Sequence, residues 1–228
     1  MNLRRAIKDT LFPGGCHICG APLMRGEKFV CTACLSEIPR SRFYAEPDNM
    51  MIQRFLPDLR LRRCASLFLY SHGSPLSELV QDFKYRDFPS LAEWLGRVMG
   101  RELLPTGYLS DIDAIVPVPM FGLKSLLRGY NQVDMLAAGL GKECDVPVSK
   151  CIEAVKPHAT QTRKDPGQRL RNVSGVFAMS GRVPMPKGHL LLLDDICTTG
   201  ATLSEAAHTL QAAGAEAISI LTLAFAHK

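Results

Sequence analysis

The chain is 228 residues long, 46% hydrophobic and 21% charged, which is enough for one sizeable core with a small appended module. It has no run of 18 or more apolar residues, which argues against a membrane-spanning helix. Its N-terminus, MNLRRAIKDTLF, lacks the apolar stretch and cleavage site of a secretory signal, so a cytoplasmic location is expected. The net charge of +5 suits phosphate handling and ordinary soluble proteins alike, and does not by itself single out nucleic acid.

The first residues read as a short amphipathic helix, and Gly, Pro and Cys dominate residues 14–40. Cys16-His-Ile-Cys19 is followed after eleven residues by Cys31-Thr-Ala-Cys34. Two such pairs at this separation fit a tetrahedral four-cysteine zinc ribbon, each pair forming a knuckle. Four thiolates complete the shell, so the zinc is structural and has no open position for chemistry. His17 reads as a surface neighbour of that shell; the alternative, a redox pair, needs only one of the two motifs. The module has too few periodic apolar residues for a core of its own, and metal binding is expected to supply much of its folding energy. Cys64, Cys144, Cys151 and Cys197 are scattered and read as small buried side chains.

Residues 45–63 are expected to form a short helix and a basic connector. The run Arg54, Arg60, Arg62, Arg63 in that segment could track a nucleic-acid backbone or lie solvated. CASLFLYSHG then suggests a strand, and LSELVQDFKYRD and LAEWLGRVMGRELL repeat apolar residues at helical spacing. From there strands and helices alternate. DIDAIVPVP is a strand, NQVDMLAAGLGKE a helix, VPVSKCIEAV a strand, KPHATQTRKDPGQRLR a long basic loop, and NVSGVFAMS a strand of a possible hairpin. HLLLLDD, GATLSEAAHTLQAAG and AEAISILTLAFA follow as strand, helix and strand. This rhythm predicts an α/β domain with a parallel sheet and helices on both faces. Ligands of such sheets bind at the carboxyl ends of the strands. Trp94, Phe43 and Phe88 read as core or interface residues rather than base-stacking platforms.

The densest chemistry lies in residues 190–202, LLLLDDICTTGAT. Four leucines suit a strand buried on both faces. Successive N–H groups at the start of the following helix make an anion site, and Gly200 permits a tight turn or close approach. The Thr198, Thr199 and Thr202 hydroxyls add donors. Asp194 and Asp195 could grip a sugar diol or the water on a bound Mg²⁺. An ordinary strand running into a helix cap explains one Asp and one Thr, but not DDxxTTGxT together. Cys197 sits where a thiol pKa can fall, yet a phosphate there needs its backbone N–H rather than its sulfur. Lys124 and Arg128, in VPVPMFGLKSLLRGYNQVDMLA, could polarise a pyrophosphate leaving group. The loop over 156–171 is long enough to close over a ligand and exclude water.

The DD..TTG.T segment resembles the phosphoribosyl diphosphate signature of type I phosphoribosyltransferases. The combination PVP…RGYNQ, TQ…R..NV..F, FKYR at 83–86, DDICTTGAT and the cysteine module resembles the ComF/GntX family over nearly the whole chain. The resemblance implies a type I phosphoribosyltransferase-like parallel sheet flanked by helices over residues 46–228, with an N-terminal helix and zinc ribbon over 1–45. It implies that Asp194 and Asp195 contact the ribose hydroxyls and that the backbone from Cys197 through Thr198, Thr199, Gly200 and Ala201 to Thr202 cradles the 5′-phosphate. It makes Lys84 a further candidate beside Lys124 and Arg128. In several nucleobase-using relatives an acid stands where this chain has Thr198. The implied role is in competence, in DNA uptake or DNA utilisation. Two function classes follow: a Mg²⁺-dependent transferase acting on phosphoribosyl diphosphate, and a module that senses that ligand or binds single-stranded DNA.

Overall fold

A computed structural model describes residues 14–55, 59–85, 88–120, 130–155 and 175–226, the side chains of 83–85 excepted. Lys124, Arg128, the 156–171 loop and the Lys84 side chain lie outside the described residues.

The main sheet has four parallel strands: β1 (Cys64–Tyr70), β2 (Ala114–Pro117), β5 (His189–Cys197) and β6 (Ala217–Ala226), in the order β1-β6-β5-β2. The predicted leucine run lies at its centre. Leu190 to Leu193 are fully buried and pair with Ala114–Pro117 on one side and Ile218–Leu221 on the other. Uninterrupted apolar sequence is what burial on both faces demands.

The helices among the described residues are α1 (Thr32–Glu37) in the cysteine module, α2 (Pro75–Tyr85), α3 (Pro89–Leu103), α4 (Gln132–Cys144) and α5 (Ala201–Ala212), of which α3, α4 and α5 pack on the sheet. Pro89 starts α3 at a position where its missing N–H costs nothing. The Asn131 side chain caps α4, accepting from the Val133 N–H at 3.1 Å. Gly139 lets α3 and α4 touch backbone to backbone, since a Cβ there would collide with the Glu93 carbonyl.

The sequence VPVSKCIEAV does not form one strand of this sheet. Pro147 supplies a carbonyl to Ile115 N–H at 2.9 Å, and Val148 makes one parallel bridge with Ile115. With no N–H of its own, Pro147 cannot extend that ladder. Only β3 (Ile152–Ala154) forms after it, and it pairs antiparallel with β4 (Phe177–Met179) in a separate two-stranded sheet.

The segment after the cysteine module packs along the outer edge of β1. Arg40 forms an antiparallel bridge with Phe68, and the Leu69 N–H donates to the Pro39 carbonyl at 2.8 Å. Arg40 also binds both carboxylate oxygens of Glu102 on α3, at 3.0 and 2.7 Å. Cys16, Val30, Cys34, Ile38 and Phe43 belong to the same continuous apolar core as the sheet. Among the described residues of 45–63 the expected helix is a single 3₁₀ turn, Ile52–Arg54, and another such turn, Phe43–Ala45, comes just before it. Asn49, buried between them, organises both. Its Nδ2 reaches the Phe43, Glu46 and Cys64 carbonyls, and its Oδ1 accepts from Met51 and Ile52 N–H. Among the described residues no helix is long and apolar enough to cross a membrane.

Candidate functional site

The four paired cysteines converge. Their Sγ atoms all lie within 4.8 Å of one another. Sulfurs about 2.3 Å from one tetrahedral zinc would sit roughly 3.8 Å apart, so only small shifts separate this cluster from a closed shell. The Cys31 N–H points at the Cys16 sulfur at 3.3 Å and the Cys34 N–H at the Cys31 sulfur at 3.5 Å, the backbone pattern of a thiolate knuckle. Burial raises the Cys16 thiol, yet N–H groups of Cys19, Cys31 and Ile18 outweigh it and bring the pKa down to about 7. Cys34 is pushed up, first by burial and then by its sulfur neighbours. Four crowded thiols cannot all ionise alone; a divalent cation removes that conflict. The cluster thus fits a structural metal such as zinc.

His17 is not a ligand of that cluster, and it is more than a surface neighbour. Its Nδ1 lies 3.0 Å from Asp82 Oδ2 on α2, and its ring meets Phe29 and Phe88 edge to face. The knuckle is therefore tied by a side chain to a buried acid of the main fold. Trp94 packs on Phe29 and Phe43 is buried, as core residues do.

At the carboxyl end of the sheet, β5 runs further than its leucines suggest. Asp194 pairs with Thr222 and Cys197 with Phe225, so the two acids lie within the strand rather than at its end. Both are half-buried. Each turns one carboxylate oxygen back to the next N–H: Asp194 Oδ1 accepts from Asp195 at 2.8 Å, and Asp195 Oδ1 from Ile196 at 2.6 Å. These bonds fix the side chains along the strand.

Cys197 is buried, and burial pushes its thiol up to about 12. Thr198 and Thr199 are exposed. Gly200 stands at the helix boundary with φ of +81°, a conformation L side chains rarely adopt. The helix that follows, α5, has no side-chain cap on its first turn, apart from a long contact of 3.4 Å from the Ala201 N–H to Thr199 Oγ1. Its first N–H groups and macrodipole thus point into the loop formed by residues 197–202, with two carboxylates two to three residues upstream of Cys197. Chemically this suits an anion held by backbone N–H beside a polyol or a hydrated cation.

Two neighbours of this loop were not placed beside it by the sequence, although Arg54 reads there as part of a basic run. Phe55 fills the space Gly200 leaves open: a Cβ on Gly200 would meet the Phe55 ring at 2.9 Å. Arg54 stacks over Phe225 at 4.1 Å and donates to the Ala226 carbonyl at 3.3 Å. The lone sequence signal was a basic residue beside an aromatic in a connector. The structure also separates the basic run. Arg62 and Arg63 bind Asp111 beside the amino ends of the strands, where the Arg62 N–H donates to the Ile218 carbonyl, whereas Arg54 sits at the carboxyl end of β6. Eight strand residues span roughly 26 Å, so these arginines do not form one track. An open groove of about 470 Å³ lies elsewhere, between β4 and α5, lined by Phe177, Met179, Glu205 and His208 among others.

Comparison with known proteins puts a family to this arrangement. Competence protein F of Haemophilus influenzae is 32% identical over 159 residues, covering 66% of this chain and 68% of that protein. The chain belongs to the ComF/GntX family. The DNA utilization protein YhgH of Escherichia coli K12, 28% identical over 228 residues, covers 92% of the chain and 96% of its own length. No family model matches the sequence. Among solved structures, an allosteric regulatory enzyme of purine biosynthesis gives a TM-score of 0.43 at 16% identity over 63% of this chain, which spans 30% of that enzyme. An adenine phosphoribosyltransferase gives 0.39 at 15% identity, over 60% of this chain and 71% of that one. The described core of this ComF/GntX protein is a parallel sheet flanked by helices.

Proposed function

We propose that the loop from Cys197 to Thr202 binds the 5′-phosphate of a phosphoribosyl diphosphate ligand, with Asp194 and Asp195 contacting the ribose hydroxyls or water on its Mg²⁺. The observation that carries this reading is the uncapped start of α5 at the carboxyl end of β5, directly after two half-buried carboxylates. Lys84, Lys124 and Arg128 are the candidates for the pyrophosphate end. Residues 1–45 serve as a structural zinc module and 46–228 as the ligand-binding domain of a cytoplasmic protein.

The names of its relatives, competence protein F and DNA utilization protein, support a role in competence or DNA utilisation. They also favour a second reading, a ligand-sensing or single-stranded-DNA-binding module without transferase activity. DNA binding would weaken steeply with salt as counterions are released, whereas a site for one small anion responds far less.

Isothermal titration with phosphoribosyl diphosphate and Mg²⁺ tests the site. The variant carrying Asp194→Asn and Asp195→Asn should bind at least tenfold more weakly than wild type; equal affinity would sink the assignment. A pyrophosphate-release screen over bases and amines then separates transferase from sensor.

A further inference from the structure

We propose that Arg54 is an anion-binding residue of this site, supplying its guanidinium to the phosphate held by the 197–202 loop while Phe55 locks its segment against Gly200. The proposal deepens the reading above and rests on it.

Position comes first. Arg54 and Phe55 are consecutive; Phe55 meets the loop itself and Arg54 the strand beside its start. Phe55 abuts Gly200. The Arg54 guanidinium lies over Phe225, which is the register partner of Cys197 on the neighbouring strand. Side chains of register partners on parallel strands share a face, so the guanidinium lies on the face of the sheet that carries the Cys197 side chain. Its field acts there: Arg54 lowers the Cys197 thiol, against a larger rise from burial. The segment is not free to drift, because Asn49 clamps the turn Ile52–Arg54 through the Met51 and Ile52 N–H groups.

Charge comes second. Four arginines among the described residues are half-buried: Arg40, Arg54, Arg63 and Arg97. Three have carboxylates, Glu102 for Arg40, Asp111 for Arg63, and Glu93 with Glu143 for Arg97. Among the described residues Arg54 has none within ion-pair distance; its polar contact is the Ala226 carbonyl. A partly desolvated cation without a counter-charge is costly, and a guanidinium offers five donors, of which this contact uses one. An anion in the adjacent loop supplies the missing charge, and a phosphate accepts the bidentate geometry that arginine presents.

The test uses the full-length protein, with ribose 5-phosphate and phosphoribosyl diphosphate–Mg²⁺ as probes in isothermal titration. Arg54→Met keeps an apolar stem over Phe225 without the charge, and Arg54→Lys restores the charge. Arg54→Met is expected to bind both probes about 10- to 100-fold more weakly, as for loss of a charge-assisted hydrogen bond, and Arg54→Lys should recover part of that loss. Wild-type affinity in Arg54→Met overturns the proposal. So does a loss that Arg54→Lys does not relieve at all while melting at the same temperature as Arg54→Met, because the role is then packing on Phe225. If wild type binds neither probe, the underlying ligand reading has failed. If wild type binds and the Asp194/Asp195 variant does not, that reading stands and the Arg54 result is decided separately.

Discussion

The cysteine module and the 197–202 loop are built on opposite principles. In the module, four side chains present the ligand atoms, and the backbone only tunes them through N–H···S contacts. In the loop the candidate ligand atoms are backbone N–H groups, and the side chains there either face solvent, as Thr198 and Thr199 do, or turn into the core, as Cys197 does. A side-chain site fails when residue identity changes. A backbone site fails when conformation changes, even if every polar side chain survives.

The largest effect should therefore come from Cys34→Ser. Zinc measured per chain should fall from one to near zero, and the melting temperature should drop by ten degrees or more, since structural zinc contributes on the order of 10 kcal/mol to small sites. Full metal content in this variant would break the assignment of Cys34 as a ligand.

Gly200→Val should come next. It forces a β-branched residue to φ of +81° and drives its Cβ into Phe55, so a loss of about 2–4 kcal/mol by denaturant titration is expected, with ligand affinity down at least tenfold. Thr198→Val, by contrast, should cost under about threefold in affinity, because a single exposed hydroxyl adds little to a backbone-held anion. If Thr198→Val costs more than Gly200→Val, the loop is a side-chain site after all.

A milder effect should appear with acid. Burial lowers the pKa of His189 below its ordinary value of 6.5, opposed by Asp111. The unfolded chain therefore takes up this proton first, and stability should decline as pH falls below about 6.5. Hydrogen bonding from Arg63 holds Asp111 down to about 2 from 3.8, so its contribution is present above pH 3.8 and lost as pH falls through 2. Melting temperatures between pH 8 and 3 should show the upper step in wild type and lack it in His189→Gln. Neither step involves the loop, so ligand affinity relative to stability should stay flat across the upper one.

Cys197→Ala should do least. The thiol, buried and raised to about 12, is not used, and removing it should leave ligand affinity within about twofold. Native protein should also resist alkylation at Cys197 at pH 8.

Much of this was legible in the linear chain wherever neighbours in sequence are neighbours in space. Two C-x-x-C pairs bring two thiols together each by local geometry, and LLLLDD followed by TTGAT has the local pattern of strand, turn and helix. Where legibility failed, the cause was a partner distant in sequence or a backbone group. The acids lie inside β5 because β6 keeps pairing as far as Phe225, and the strand expected over 146–155 shrank to Ile152–Ala154 once Pro147 could not donate to the ladder beside β2.

The sequence by itself determined which chemistry the two candidate sites can offer, since residue types and short spacings fix which atoms can ligate a metal and which backbone can meet an anion. Only the tertiary structure decided what surrounds them. It brought Asp82 to His17 across 65 residues and laid Phe55 against Gly200, and it set Arg54 at one end of the sheet and Arg63 at the other. Those placements follow from strand order and register, which arise from packing the whole core and leave no mark in any local run of residues.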